Sequence, residues 1–174
     1  MKKVLEQVAE FMKLAAVTSP KTKGQDFMKY RVLAGDDLNA LADAMIRFGE
    51  ERGKKNFDRD ARGVQESGAV LLIGLPECEP AGLNCGACGY KKCSDLPGGM
   101  EGPEFGGPHC ALRLVDLGIA LGSAARTAMD FCADNRIMYR LGAAARYGGF
   151  MDASVIIGIP LSGTHKNPFF DRSA

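Results

Sequence analysis

Residues 69–75 read AVLLIGL, seven residues without a polar side chain, closed by Pro76. An unbroken apolar run of strand length, as opposed to an alternating one, is what a strand covered on both faces requires. Such a strand needs layers above and below it. Periodic patterns elsewhere supply candidates for those layers. Val4, Leu5, Val8, Phe11, Met12 and Ala15 recur at helical spacing until Thr18, Ser19 and Pro20 stop the pattern, because the residue before a proline avoids helical geometry. A polar loop, SPKTKGQD (19–26), leads into the β-compatible FMKYRVL (27–33). A second helix then carries Leu38, Leu41, Met45, Ile46 and Phe48, with Asp36 or Asp37 expected as its cap. Residues 47–62 are densely charged and read as solvated.

On the other side of the cysteine-rich stretch, ALRLVDLGIALGSAARTAMDF (111–131) is a long apolar helix rich in Ala and Gly. Its small residues around Leu117 to Met129 suit close packing, within the chain or against a second copy. A further helical piece covers 137–146, and SVIIGIP (154–160) is another buried-strand candidate before a polar tail, 161–174. Helices and apolar strands interleave, so the fold class is α/β or α+β. At 174 residues with 46% apolar and 25% charged side chains, the chain suits a single domain over residues 1–174. A net charge of +1, spread along the chain, disfavours nucleic acid or an anionic membrane surface as partner. Glu6, Glu10 and Lys13 interrupt any signal-like apolar run, so the sequence reads as cytoplasmic.

Residues 76–110 differ from the rest. They hold 5 of the 8 prolines and 8 of the 22 glycines and show no apolar periodicity. Ordering a chain costs roughly 1–2 kcal/mol per residue, and this segment has few apolar side chains to offset that by burial. A cross-linking metal centre would. Within it, NCGACGYKKC (84–93) and the remote Cys110 give the pattern Cys85-x2-Cys88-x4-Cys93-x16-Cys110. Three close thiols and one distant thiol suit a [4Fe-4S] cubane, which needs a sulfur donor on each iron. Gly82, Gly86 and Gly89 are suited to the positive φ angles of such a wrapping loop. Cys110, just ahead of a helix, sits where the dipole favours negative charge. Structural zinc is the rival reading, although zinc sites more often pair two C-x2-C knuckles and only one is present. Unligated thiols remain a third.

Cys78 and Cys132 lie outside the motif and read as small buried hydrophobes, with Cys78 also an alternative ligand. His109 reads as bonding a loop carbonyl, and Lys91 and Lys92 as a solvated pair. No GxGxxG follows a strand and no P-loop occurs, so neither a Rossmann site nor nucleotide-triphosphate chemistry is indicated.

Residues 85–93 resemble the C-G-x-C-G-Y/F-x-x-C core of the four-cysteine 4Fe-4S domain of Rnf-type electron-transport subunits and of the corrinoid iron–sulfur protein. The order of elements around the cysteine loop, with AVTSPKTKGQD and SVIIGIPLSGTHKNPFFDR, resembles the flavin-dependent nitroreductase fold. That resemblance implies a homodimer with FMN at its interface. It places the flavin contacts on Ser19, Lys21, Lys23 and Gly24 in the first loop and Lys166 and Arg172 in the tail, where cations and free amides suit a phosphate. Lys21 and Lys23 stand where nitroreductases usually carry an arginine-rich signature. Being surface cations, Lys21, Lys23 and Arg172 are expected to matter little for stability. The whole chain resembles a bacterial and archaeal family described as ferredoxin domain-containing, most specifically in the cysteine motif, SPKTKG and GIPLSGTHKNPFFDR.

Two functions follow from these resemblances. In one, the cluster passes electrons to a flavin that reduces a small-molecule acceptor. In the other, the protein is an electron carrier for a redox partner and has no substrate of its own. No catalytic acid, base or nucleophile stands out in the sequence.

Overall fold

The structure is a computed structural model and is described for residues 1–170. A four-stranded antiparallel sheet runs through it in the order β1-β2-β6-β5, formed by Lys29–Leu33 (β1), Ala69–Leu75 (β2), Asp134–Asn135 (β5) and Val155–Ser162 (β6). Two further short strands, Met100–Glu101 (β3) and Gly106–Gly107 (β4), pair as a separate ribbon. The helices are Lys2–Thr18 (α1), Asp36–Glu51 (α2), Phe57–Gln65 (α3), Ala111–Asp130 (α4) and Tyr139–Tyr147 (α5).

β2 is buried along its whole length and explains the layering. Its alternate side chains point to opposite faces. Ala69, Leu71, Ile73 and Leu75 join Ile159 and Leu161 of β6 under α1 and α4. Val70 and Leu72 join Ile156 under α2, α3 and α5. The result is a helix–sheet–helix arrangement with an apolar cluster on each side of the sheet. α5 lies close enough to β6 that a Cβ on Gly142 would run into the Ile156 carbonyl, so glycine is required there. Met138, just ahead of α5, bridges to Gly158 of β6.

The expected fold class holds, with several local corrections. Neither Asp36 nor Asp37 caps α2: the N-cap is Gly35 at φ 59°, and both aspartates sit in the first turn, where their charge complements the helix dipole. The charged stretch 47–62 is not all solvated, since α3 begins at Phe57 and buries Phe57, Asp60 and Ala61. Asp60 is held by Arg59 and by Arg140 of α5, at 2.8 and 3.0 Å. The tail is not simply polar, because Phe169 inserts into the core against Gly63. Ala120, Ala124 and Ala128 pack α4 into the cluster it shares with α1 in the same chain. Gly118 and Gly122 face away, with open space before them. Among the described residues no helix is long and apolar enough to cross a membrane.

Gly142→Ala is expected to lower stability by about 1–3 kcal/mol through overpacking against the β6 backbone. Urea denaturation followed by far-UV circular dichroism measures the shift.

Candidate functional site

The strand register places two loops at the same end of the sheet. Lys29 pairs with Gly74 and Val155 with Leu75, so loop 19–28 and the start of segment 76–110 leave the sheet together. The N-terminus of α4 meets them there through two buried charges.

Arg113 is 2% exposed and Asp116 is 4% exposed. Asp116 Oδ1 accepts from the backbone N–H and the hydroxyl of Thr22, both at 2.8 Å. Arg113 Nη1 donates to the Thr22 and Gln25 carbonyls at 3.1 and 3.3 Å, and Nη2 to Gln25 Oε1 at 2.8 Å. Its Nε reaches the Glu79 carbonyl at 3.4 Å, and the guanidinium lies 4.5 Å from the ring centre of Phe27. Asp116 Oδ2 stands 3.5 Å from Nη1. One buried cation thus fastens the first loop to α4 and touches the base of the cysteine segment. Sequence reading missed this pair. An Arg and an Asp three apart on a helix ordinarily form a surface ion pair, and their partners outside the helix here lie 34 to 94 residues away.

Cys110 is the N-cap of α4 and is buried. Burial pushes its thiol up, but backbone N–H groups of Ala81, Arg113 and Leu112, together with the Arg113 charge, more than compensate and bring it below its ordinary value. This is an environment for a thiolate. Farther along the segment, Cys93 N–H donates to Asn84 Oδ1 at 2.8 Å, and Asn84 N–H approaches Cys93 Sγ at 3.3 Å. That reciprocal pair closes 84–93 into a ring holding Cys85 and Cys88. The ring turns at Gly86, whose carbonyl accepts from Gly89 N–H at 2.9 Å. Gly82, Gly86 and Gly89 have φ of 71°, 75° and 90°, as the loop reading expected, and Asn84 joins them at 49°.

The backbone closures set Cys110 beside Ala81 and Cys93 beside Asn84. Their side chains are not gathered: among the described residues, no three His, Cys, Asp or Glu converge as a metal-binding group. Cys85 is exposed, and Cys88 and Cys93 are half-buried. Four thiols, one of them with backbone N–H groups aimed at its sulfur, fit an iron–sulfur cluster in donor chemistry. Between Ala81 and Cys110 no residue is fully buried; Phe105 packs at the edge of one apolar cluster and lies edge-on to Tyr139, and the stretch that carries Cys85, Cys88 and Cys93 has no such anchor among the described residues.

Cys78 is half-buried against the α1 and α4 cluster; burial pushes its thiol up, and Arg113 opposes that. Cys132 is exposed at φ 54°, which corrects its reading as a buried hydrophobe. His109 bonds the Gly106 carbonyl through Nε2 at 3.1 Å, and Lys91 and Lys92 are exposed.

The residues implied as flavin contacts divide. Ser19 is buried and donates to the Ala16 carbonyl at 2.8 Å. Lys21 is not a surface lysine: its side chain is 4% exposed and its ammonium caps the end of α1, donating to the carbonyls of Ala16, Val17 and Ser19 at 2.5, 2.6 and 3.0 Å. Lys23 and Gly24 are exposed. Lys166 is exposed and follows the far end of β6, where Gly163 lies beside Met1 and Leu5. Eight strand residues separate the ends of β6, which is about 25 Å. Within one chain Lys166 therefore does not meet loop 19–28. Arg172 lies outside the described residues.

A profile described as "Uncharacterized protein containing a ferredoxin domain (DUF2148)" matches residues 106–172. A protein of Archaeoglobus fulgidus, itself described as an uncharacterized protein, is 43% identical over 166 residues, covering 95% of this chain and 90% of that relative. The chain belongs to this ferredoxin-domain family. The matched stretch holds Cys110 but not Cys85, Cys88 or Cys93. Two variants of the FMN- and NADPH-dependent nitroreductase NfnB from Sphigopyxis sp. strain HMH share the fold of this family member, with TM-scores of 0.55 and 0.57 at 12% identity. The alignments cover 91% and 96% of this chain and 78% and 83% of theirs. The fold is nitroreductase-like.

The position of Lys21 reverses the expectation that it is dispensable. Lys21→Ala strands helix-end carbonyls and is expected to cost about 1–3 kcal/mol, whereas Lys23→Ala stays within about 0.5 kcal/mol. Parallel urea titrations of the two variants separate these outcomes.

Proposed function

We propose that the protein is an iron–sulfur redox protein that holds a [4Fe-4S] cluster on Cys85, Cys88, Cys93 and Cys110 and transfers electrons through it. The observation that carries this reading is the placement of Cys110, buried at the N-cap of α4 at the base of the segment that also holds Cys85, Cys88 and Cys93. When bound, the cluster supplies one-electron transfer. The chain's own part is to supply thiolates, to direct N–H groups at Cys110 and to keep a cation beside it. Segment 76–110 is then a cluster-binding insertion within a single nitroreductase-like domain. The ferredoxin-domain family description supports the electron-transfer reading.

The acceptor in this reading is FMN, on which the nitroreductase NfnB depends. Loop 19–28 supplies the exposed Lys23 and Gly24, and the tail supplies Lys166 and Arg172. Because the loop and Lys166 stand at opposite ends of the sheet in one chain, a flavin touching both needs a second copy. An apolar outer face is available for it: Leu114, Val115 and Ile119 of α4 are exposed beside the open Gly118 and Gly122. Phe11 of α1 stacks on Phe131 at 5.3 Å on the same helical layer. FMN held there would supply electron transfer to a small-molecule acceptor.

A second reading, an electron carrier that serves a redox partner protein without flavin, is favoured by one observation. The ammonium of Lys21, the first of the implied phosphate contacts, is already committed to the end of α1.

Anaerobic purification is expected to give a brown protein with about four irons and about four acid-labile sulfides per chain. Stoichiometric zinc in protein made under iron-replete anaerobic conditions overturns the cluster. Releasable FMN supports the flavin reading, and a cluster without FMN supports the carrier. For the assembly, wild-type protein is expected to sediment as a dimer at micromolar concentration and Ile119→Asp as a monomer; a wild-type monomer refutes the second copy.

A further inference from the structure

The same end of the sheet holds a cavity of roughly 440 Å³ that neither the iron–sulfur nor the flavin reading uses. Its walls are the start of β1 at Lys29, residues 76–77 after β2, loop 152–154 and the last turn of α5 at Arg146, and the β3–β4 ribbon contributes Glu101. The volume lies in the range of small-molecule sites. We propose that this cavity binds a small dicarboxylate, with Arg146 and Lys29 receiving its two carboxylate groups in place of the chain's own Glu101 and Asp152. The inference stands apart from the iron–sulfur reading and does not depend on it.

The two cations are held in the same manner. Arg146 Nε donates to the Ala153 carbonyl at 3.2 Å, and Nη2 faces both oxygens of Glu101 at 2.7 and 2.6 Å. Lys29 Nζ donates to the Asp152 carbonyl at 2.6 Å and to Asp152 Oδ2 at 2.8 Å. Each is thus fixed by a backbone carbonyl of loop 152–154 and meets a carboxylate besides. The loop is itself fastened, since Ser154 N–H donates to the Leu75 carbonyl at 3.0 Å and the Ser154 carbonyl accepts from Gly106 N–H at 2.8 Å. Cations set in place before a ligand arrives lose little freedom when it binds.

The two carboxylates are not fixed in this way. The side chain of Glu101 is 80% exposed and that of Asp152 fully exposed, against 21% for Arg146. An ion pair whose anion stands in water contributes little, so either carboxylate turns away into solvent at small cost. Glu77, the third carboxylate of the wall, differs, because its Oε1 accepts from Gly99 N–H at 2.7 Å and stays. The lining carries two cations and three carboxylates. Exchanging Glu101 and Asp152 for the two carboxylates of one ligand leaves that balance unchanged, whereas a monocarboxylate fills only one position. The guanidinium fork of Arg146 suits a carboxylate in particular.

Isothermal titration calorimetry of the full chain, prepared anaerobically and held at constant salt, tests the assignment with succinate as the probe. Wild-type protein is expected to bind one succinate per chain with a Kd of about 1 mM, and acetate more weakly. Glu101→Gln and Asp152→Asn remove the internal competitors at exposed positions. Each is expected to tighten succinate binding by up to about fivefold, the reach of an exposed ion pair. Arg146→Gln is expected to abolish it.

Absence of saturable heat with succinate up to about 20 mM in the wild type and in both carboxylate variants overturns the inference, as does an affinity that neither variant alters. Arg146→Gln also removes the tie between α5 and the ribbon, so far-UV circular dichroism checks its fold. A folded Arg146→Gln protein that binds succinate as the wild type does overturns the inference as well; if it does not fold, the two carboxylate variants decide. Inorganic phosphate bound more tightly than succinate overturns the assignment to a dicarboxylate.

Discussion

A guanidinium and a carboxylate buried at the first turns of α4 hold together the end of the molecule where the two loops meet. Taking two charges from water is costly, and their mutual contact alone, at 3.5 Å, is a poor return. What offsets the cost is the set of loop groups they satisfy. Asp116 takes two donors from Thr22, Arg113 gives to three oxygens of Thr22 and Gln25, and Phe27 lies against the guanidinium. Removing either charge would leave the other buried and uncompensated, a loss of about 3–5 kcal/mol in comparable pairs. The conformation of loop 19–28 and the environment of Cys110 therefore depend on the same residue.

The cysteine segment is under the opposite constraint. The sheet and its helices are held by two apolar clusters, whereas none of residues 82–109 is fully buried and Phe105 meets one cluster only at its edge. Around the first three cysteines their order comes from local polar closures, the Asn84–Cys93 exchange and the Gly99 N–H to Glu77 contact at 2.7 Å, while residues 101–106 are tied to the domain by the Arg146–Glu101 and Lys54–Glu104 ion pairs, the Gly106 N–H to Ser154 carbonyl bond and Phe105. Closures of that kind leave the cysteine side chains dispersed. Bound metal changes the balance, since its binding free energy becomes folding free energy for the loop that wraps it.

Much of the fold was legible because burial writes periodicity into sequence. The unbroken AVLLIGL gave β2, and the helical recurrence from Val4 to Ala15 gave α1 with its end at Thr18. α3 was hidden because five of its nine residues are polar or charged, although Phe57, Ala61 and Val64 fall at core spacing. The core role of Phe169 was hidden because it lies in a short tail with no apolar periodicity. In the site, cysteine spacing singled out the segment and glycine placement foretold its positive φ angles. The direction of the lysines was not legible: Lys21 and Lys23 look alike in sequence, yet only one folds back onto the end of α1. Nor was the role of Arg113, whose partners are mostly backbone carbonyls distant in sequence and bear no residue signature.

Limited trypsin digestion under anaerobic conditions addresses most directly whether thiol-bound metal organises residues 76–110. The exposed Lys91 and Lys92 place cleavage sites inside the segment. Cluster-loaded wild-type protein is expected to resist cleavage there. Cys93→Ser, which preserves a small polar side chain facing Asn84, is expected to be cut there while the sheet and helices remain intact. If Cys93→Ser resists trypsin across the segment as well as the wild type does, the cysteines do not organise it through a bound metal.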